Sequence, residues 1–198
     1  MLGVAYTAGV SIQPVIDVWS HPQSWTPAEF INLREQTERR MELVEGALLM
    51  VPSPDLLHQT LARELLIAFY NSLPPELNVV AELDVRLGSE FRLPDLVVYN
   101  RSAVSKNAKN LLPDQVALVV EVVSPSSQRR DYLAKMHDYA QAGIPYYWIV
   151  DRREDTTVSC YRNTPSHTYA QYASAAGTET LVVSEPFSFS VVPAALAR

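Results

Sequence analysis

The chain has 198 residues, of which 47% are apolar and 19% charged, with a net charge of −6. That length can bury one sizeable core and favours one domain over two, and the balance excludes a disordered or a strongly polybasic chain. A single cysteine, Cys160, excludes an intrachain disulfide framework and a cysteine-rich zinc site, so a reducing cytoplasm is the simplest setting.

Residues 1–25 read as an irregular N-terminal segment, and residues 26–198 as one domain. Residues 1–13 lack the basic and apolar regions of a signal peptide, and the longest apolar runs are strand-sized, so no membrane association is expected. Thr26-Pro27-Ala28-Glu29 opens a helix, with Thr26 as cap, Pro27 at the first helical position and Glu29 closing a capping box. That helix is expected to run to about Arg40. The run from Glu42 to Val51 is strand-like, with a turn at Glu45-Gly46. Ser53-Pro54-Asp55 starts a second helix that carries His58, Ala62, Leu65 and Phe69 on one face and stops before Pro74-Pro75.

Strands are expected at Leu77 to Leu87, Leu93 to Tyr99 and Val116 to Val123, with a polar connection over residues 100–114. The run Val116-Ala117-Leu118-Val119-Val120-Glu121-Val122-Val123 is nearly all apolar, as a strand buried on both faces is. Ser124-Pro125-Ser126 ends it and caps a helix over 127–142. Gly143 suits the position after that helix, and Pro145 prevents its continuation. Tyr146 to Val150 is another buried strand. Short strand patterns at 156–162, 167–173, 178–183 and 187–191 read as an antiparallel meander at the sheet edge. The order strand, helix, strand after residue 116 predicts a crossover in a mixed α/β sheet flanked by helices.

Within this frame Glu121 stands out as a lone carboxylate in an apolar strand. Burying it without a cation, a proton or a metal is expensive. A structural ion pair is the plain alternative. Asp95 follows Pro94 at a strand entrance, where a ligand or a turn aspartate would sit. Lys135 lies on a helical stripe with Asp131 and Tyr139. It can lean toward the end of the preceding strand or form a solvated pair with Asp131. Glu45 and His58 are weaker candidates, read equally well as a hairpin-turn residue and a buried helix residue. Together these side chains suit a hydrolytic site for Mg2+ or Mn2+. Carboxylates hold a hard cation, the cation activates water and stabilises charge on phosphate, and a lysine orients the water or neutralises the transition state.

Asp95, in Pro94-Asp95, and Glu121, in Glu121 through Ser126, resemble the PD-(D/E)XK nuclease superfamily, and the ordered series Met41-Glu42-Leu43-Val44-Glu45-Gly46, Ser53-Pro54 with His58, Arg92-Leu93-Pro94-Asp95, Glu121 through Ser126, Arg130-Asp131 with Lys135 and Tyr139, and Gly143 through Asp151 carries a narrower likeness. More closely, the chain is similar to the Uma-type restriction-endonuclease family over about residues 26–192. The resemblance implies an α/β restriction-endonuclease-like fold, with a mixed sheet flanked by helices and a C-terminal antiparallel β meander. It also implies a metal held by Asp95 and Glu121 as catalytic ligands, Lys135 positioning water, Glu45 assisting, and His58 lining the site. The superfamily's lysine stands two residues after the glutamate, on the same strand face; here that residue is Val123, and the resemblance implies that the lysine has moved to Lys135 on the next helix.

The expected function is therefore a magnesium-dependent endonuclease that hydrolyses DNA. It is expected to need no organic cofactor, to work in the cytoplasm and, from the superfamily's habit of cutting both strands, to be a homodimer. Two rivals are a non-catalytic binding or assembly module on the same fold, favoured by Val123 and the net charge, and a hydrolase of another phosphate ester. The basic pieces Arg129-Arg130 and Lys106 to Lys109 would touch phosphates in the first reading and be solvated faces otherwise.

Overall fold

The computed structural model describes residues 24–123, 129–152 and 155–198. The segment 1–23 and the Ser124-Pro125-Ser126 cap lie outside the described residues.

Helix α1 (Pro27–Gln36) starts as its sequence dictates: the Thr26 side chain and the Glu29 carboxylate form a reciprocal capping box. The helix ends four residues before the expected Arg40. Thr37 is extended (φ −145°), and its hydroxyl accepts the Arg39 amide at 3.2 Å, a local bond that competes with another helical turn. Strands β1 (Met41–Val44) and β2 (Ala47–Met50) form a hairpin through Glu45 (φ 48°) and Gly46 (φ 78°). Two positive φ angles match the right-handed strand twist in a two-residue turn. Helix α2 (Leu56–Ser72) is capped by Asp55, whose carboxylate accepts the His58 amide at 2.9 Å.

The expected strand at 77–87 is two strands, β3 (Leu77–Ala81) and β4 (Asp84–Leu87), in different sheets. Glu82 between them has φ 53°, and its amide donates to the Asp95 carbonyl at 3.2 Å. A left-handed residue cannot continue a pleat, so the chain changes sheets there. The strand expected at 93–99 begins later, as β6 (Leu96–Asn100), because Pro94 cannot donate to a ladder, and a separate short strand, β5 (Glu90–Arg92), precedes it. A two-residue strand, β7 (Asn110–Leu111), completes the five-stranded sheet β2-β1-β5-β4-β7.

The six-stranded sheet runs β11-β10-β9-β8-β6-β3. At its centre β8 (Val116–Val123) pairs antiparallel with β6 and parallel with β9 (Tyr146–Asp151), with α3 (Arg129–Gln141) as the crossover. Strands β10 (Thr157–Asn163) and β11 (Tyr169–Ala176) extend the sheet to its edge, while β12 (Leu181–Val183) and β13 (Phe189–Val191) make a separate antiparallel hairpin.

The period of two along β8 divides its side chains between two cores. Leu118, Val120 and Val122 pack in the cluster that contains Leu61, Leu65 and Phe69 of α2 and Trp148 of β9. Val119 and Val123 pack in the cluster that contains Tyr139 of α3, Tyr147 and Ile149. Glu121 has the parity of the second set.

Candidate metal and catalytic site

Glu121 is 8% exposed, and its carboxylate meets α3. The Lys135 ammonium donates to Glu121 Oε1 at 3.1 Å and to Oε2 at 3.3 Å, and the Tyr139 hydroxyl donates to Oε1 at 3.1 Å. Lys135 and Tyr139 are four residues apart on one helix, so they lie one above the other on the same face.

The β6–β8 ladder pairs Leu96 with Val120, and one further step sets Asp95 opposite Glu121. Asp95 is buried. Its Oδ2 accepts the Val122 amide at 2.7 Å and lies 3.2 Å from His58 Nε2, while its Oδ1 lies 3.6 Å from an Arg40 nitrogen.

A third carboxylate comes from β1. Glu42, 4% exposed, lies 2.8 Å from the Lys135 ammonium and accepts the Leu93 amide at 3.1 Å. Arg92 stands beside it at 3.7 Å and is clasped by Asp138 of α3 and Glu90. One ammonium thus bridges two buried carboxylates, one from each sheet.

The electrostatics follow from this enclosure. Burial, more than any other cause, raises the Glu121 carboxyl to about 7; Asp95 and Glu42 add repulsion, and Lys135 opposes both. Burial disfavours the charged form of Lys135, but Glu121 and Glu42 outweigh it and hold the ammonium above the ordinary lysine range. Burial also opposes protonation of His58, and Asp95 more than offsets this, leaving the imidazole raised. The Tyr139 phenol is pushed far up, by burial first and then by Glu121, so it stays protonated and donates.

Asp95, Glu121, Lys135 and His58 are therefore brought together along one cavity of about 590 Å³. Glu45 is not among them. It is the exposed, left-handed turn residue of the β1–β2 hairpin, and its amide donates to Glu90 at 3.2 Å. Glu42 stands in the cluster instead, three residues earlier. The signal that singles out Glu121, a lone carboxylate between buried apolar neighbours, also marks Glu42 between Met41 and Leu43. Arg40, Arg92 and Arg152 also line the cavity, and nothing in their local sequence announces it. Of the basic pieces, Lys109 pairs with Glu35 on another cavity, and the side chains of Arg129 and Arg130 lie outside the described residues.

No group of three or more His, Cys, Asp and Glu side chains disposed to hold a metal ion occurs among the described residues. The pair Asp95 and Glu121 nonetheless fits a magnesium-type ion in donor chemistry. Such an ion takes one or two protein carboxylates and fills its remaining positions with water and substrate oxygens.

A family model described as "Uma2: Putative restriction endonuclease" matches residues 27–196. No curated protein matches the sequence. Among solved structures, the crystal structure of a "putative nuclease belonging to DUF820" from Anabaena variabilis superposes with a TM-score of 0.62 at 24% identity, over 74% of this chain and 83% of that one. This likeness establishes a shared fold: mixed α/β, with helices on the sheets and antiparallel C-terminal strands.

Proposed function

The chain belongs to the Uma2 restriction-endonuclease family, and from that premise we propose that it is a divalent-metal-dependent endonuclease that hydrolyses DNA phosphodiester bonds. Family and fold together support a nuclease of the restriction-endonuclease type. One observation carries the finer reading. Carboxylates on neighbouring strands, Asp95 and Glu121, share a face, with a lysine ammonium 3.1 Å from one of them.

In this reading Asp95 and Glu121 hold Mg2+ or Mn2+. When bound, the ion supplies positive charge to the phosphate and lowers the pKa of a water. Lys135 orients the attacking water and neutralises charge developing on the phosphate oxygens. Its placement on α3, with Val123 filling the strand position in the apolar core, supports the shift of the lysine from strand to helix. Tyr139 fixes the Glu121 carboxylate, so that Lys135 can lean toward substrate without releasing it. Glu42 holds the other side of the ammonium, the auxiliary acidic role first expected of Glu45. His58 orients Asp95. Residues 26–198 act as one domain, two copies together cut both strands of a duplex, and the single buried thiol of Cys160 suits a cytoplasmic setting.

The test is cleavage of supercoiled plasmid with Mg2+ or Mn2+ by the wild type and by Asp95→Ala, Glu121→Ala and Lys135→Ala. Metal-dependent nicking that falls at least roughly 100-fold in each variant is the expected result. A folded wild type that cleaves no DNA substrate with either metal overturns the reading.

A further inference from the structure

We propose that Arg40 and Arg152 form a phosphate-binding subsite beside the carboxylates. It would hold a phosphate group of the substrate strand, either an internal phosphodiester or a terminal monophosphate, and it deepens the nuclease reading on which it rests. Both guanidinium groups line the same cavity as Asp95 and Glu121. Arg40 lies 3.6 Å from Asp95, so the subsite adjoins the reaction centre. Arg40 and Arg152 line that cavity together with His58, the residue that contacts Asp95.

The three arginines of this cavity differ in how fully their donors are used. Arg92 is spent: its three nitrogens face Glu42, Glu90 and Asp138. Arg40 donates to the Pro52 carbonyl at 2.9 Å and pairs with Glu82 at 3.2 Å, yet its Nε is buried without a partner among the described residues. Arg152 has the same orphaned Nε, although its side chain is 9% exposed. A buried donor without an acceptor is costly, and a guanidinium fork is built for two oxygens of one oxyanion.

Arg152 already holds one anion in this place. The Asp55 carboxylate lies 2.6 Å from it and is itself 59% exposed. The Asp55 end of this pair is open to solvent, so an oxyanion arriving from the groove can compete with it for the guanidinium. Asp55 also caps α2, so the positive end of that 17-residue helix faces the same point.

The test measures binding in EDTA, where no cleavage occurs. The probe is a dye-labelled 12-base-pair DNA duplex at low salt, followed by fluorescence anisotropy. Arg152→Gln is expected to weaken binding roughly 10-fold and to reduce the slope of log K against log salt by about 1. Asp55→Asn, which keeps the helix cap and frees Arg152, is expected to tighten binding by roughly threefold. Arg40→Gln should resemble Arg152→Gln; where it fails to fold, Arg152→Gln and Asp55→Asn decide.

Competition separates the two sources of phosphate. A thymidine dinucleotide with a 5′-phosphate that displaces the duplex far better than the unphosphorylated dinucleotide identifies a terminal monophosphate. Equal displacement by both identifies an internal phosphodiester. An unchanged affinity and salt slope in Arg152→Gln overturns the subsite, as does a wild type that binds no DNA in EDTA, even if cleavage with metal persists. Arginine-dependent binding by a wild type that cleaves nothing retains the subsite and removes the nuclease reading.

Discussion

On the α2 side of β8, Leu118, Val120 and Val122 meet Leu61, Leu65 and Phe69 in a wholly apolar contact. On the α3 side of the same strand, Val119 and Val123 flank Glu121, which meets Lys135 and Tyr139. The first face is held by hydrocarbon removed from water, which needs shape but no particular partner. The second holds a carboxylate that is tolerable only because the Tyr139 hydroxyl and a bridging ammonium are fixed against it. Buried ion pairs of this kind often contribute nothing net to stability, yet they are strongly destabilising when half removed. One face makes the strand stable; the other uses part of that stability to hold buried charged groups in place.

Stability measured in EDTA can break that contrast. The largest expected effect is on the apolar face. Phe69 stacks edge-on against Trp148, Phe187 and Phe189 at 4.8–5.5 Å, and Phe69→Ala is expected to cost about 3–5 kcal/mol in chemical denaturation. A loss below about 1 kcal/mol would show that this face is not the stabilising one.

On the polar face, Lys135→Met alone should cost nearly as much, roughly 3 kcal/mol at pH 8, because it strands Glu121 and Glu42. The double variant Lys135→Met/Glu121→Gln should regain the part of that loss due to Glu121, while Glu42 stays stranded. A double variant no more stable than the single would mean that the pair is a net stabiliser, and the two faces would then be alike.

The pH dependence sharpens the point. The folded Glu121 carboxyl, raised from 4.5 to about 7, binds its proton more tightly than in the unfolded chain. Its contribution therefore favours folding at low pH and is lost as pH rises from about 4.5 toward 7. Denaturation midpoints of wild type and Glu121→Gln, compared across that window, should converge at the acid end and separate as pH rises, with the glutamine variant the more stable. The reverse ordering would show that Lys135 dominates the site.

Tyr139→Phe should cost about 1.5–3 kcal/mol, the worth of one hydrogen bond to a charged group. Its effect on cleavage should exceed its effect on the melting temperature, since the fold keeps the ring and loses only the hydroxyl. The smallest effect is expected at the hairpin turn, where Glu45→Gln should alter plasmid cleavage by less than about twofold and stability by less than about 0.5 kcal/mol. A large loss of cleavage there would return Glu45 to the site.

Much of this contrast is legible in the chain. Strand β8 follows from an apolar run, and Glu121 from its being the one carboxylate within it. The Thr26 box, the Asp55 cap and the stop at Gly143-Ile144-Pro145 set helix ends by local bonds, and these ends need no tertiary information. The spacing of Lys135 and Tyr139 puts them on one helical face. Other features are not local. The break at Glu82 depends on a hydrogen bond to Asp95, thirteen positions away, and Arg92 is clasped by Asp138 across 46 positions. The choice between Glu42 and Glu45 turns on which residue of the hairpin faces α3, a matter of how the five-stranded sheet meets the helix.

By itself, then, the sequence determined the periodicities and the caps, which rest on neighbours within a few residues, and the family, which rests on an ordered series of short motifs. Only the tertiary structure decided which carboxylates share an ammonium, where the strand breaks fall and which arginines keep donors unspent. The energy of a charge depends on what surrounds it in space, and those surroundings are assembled from segments far apart in the chain.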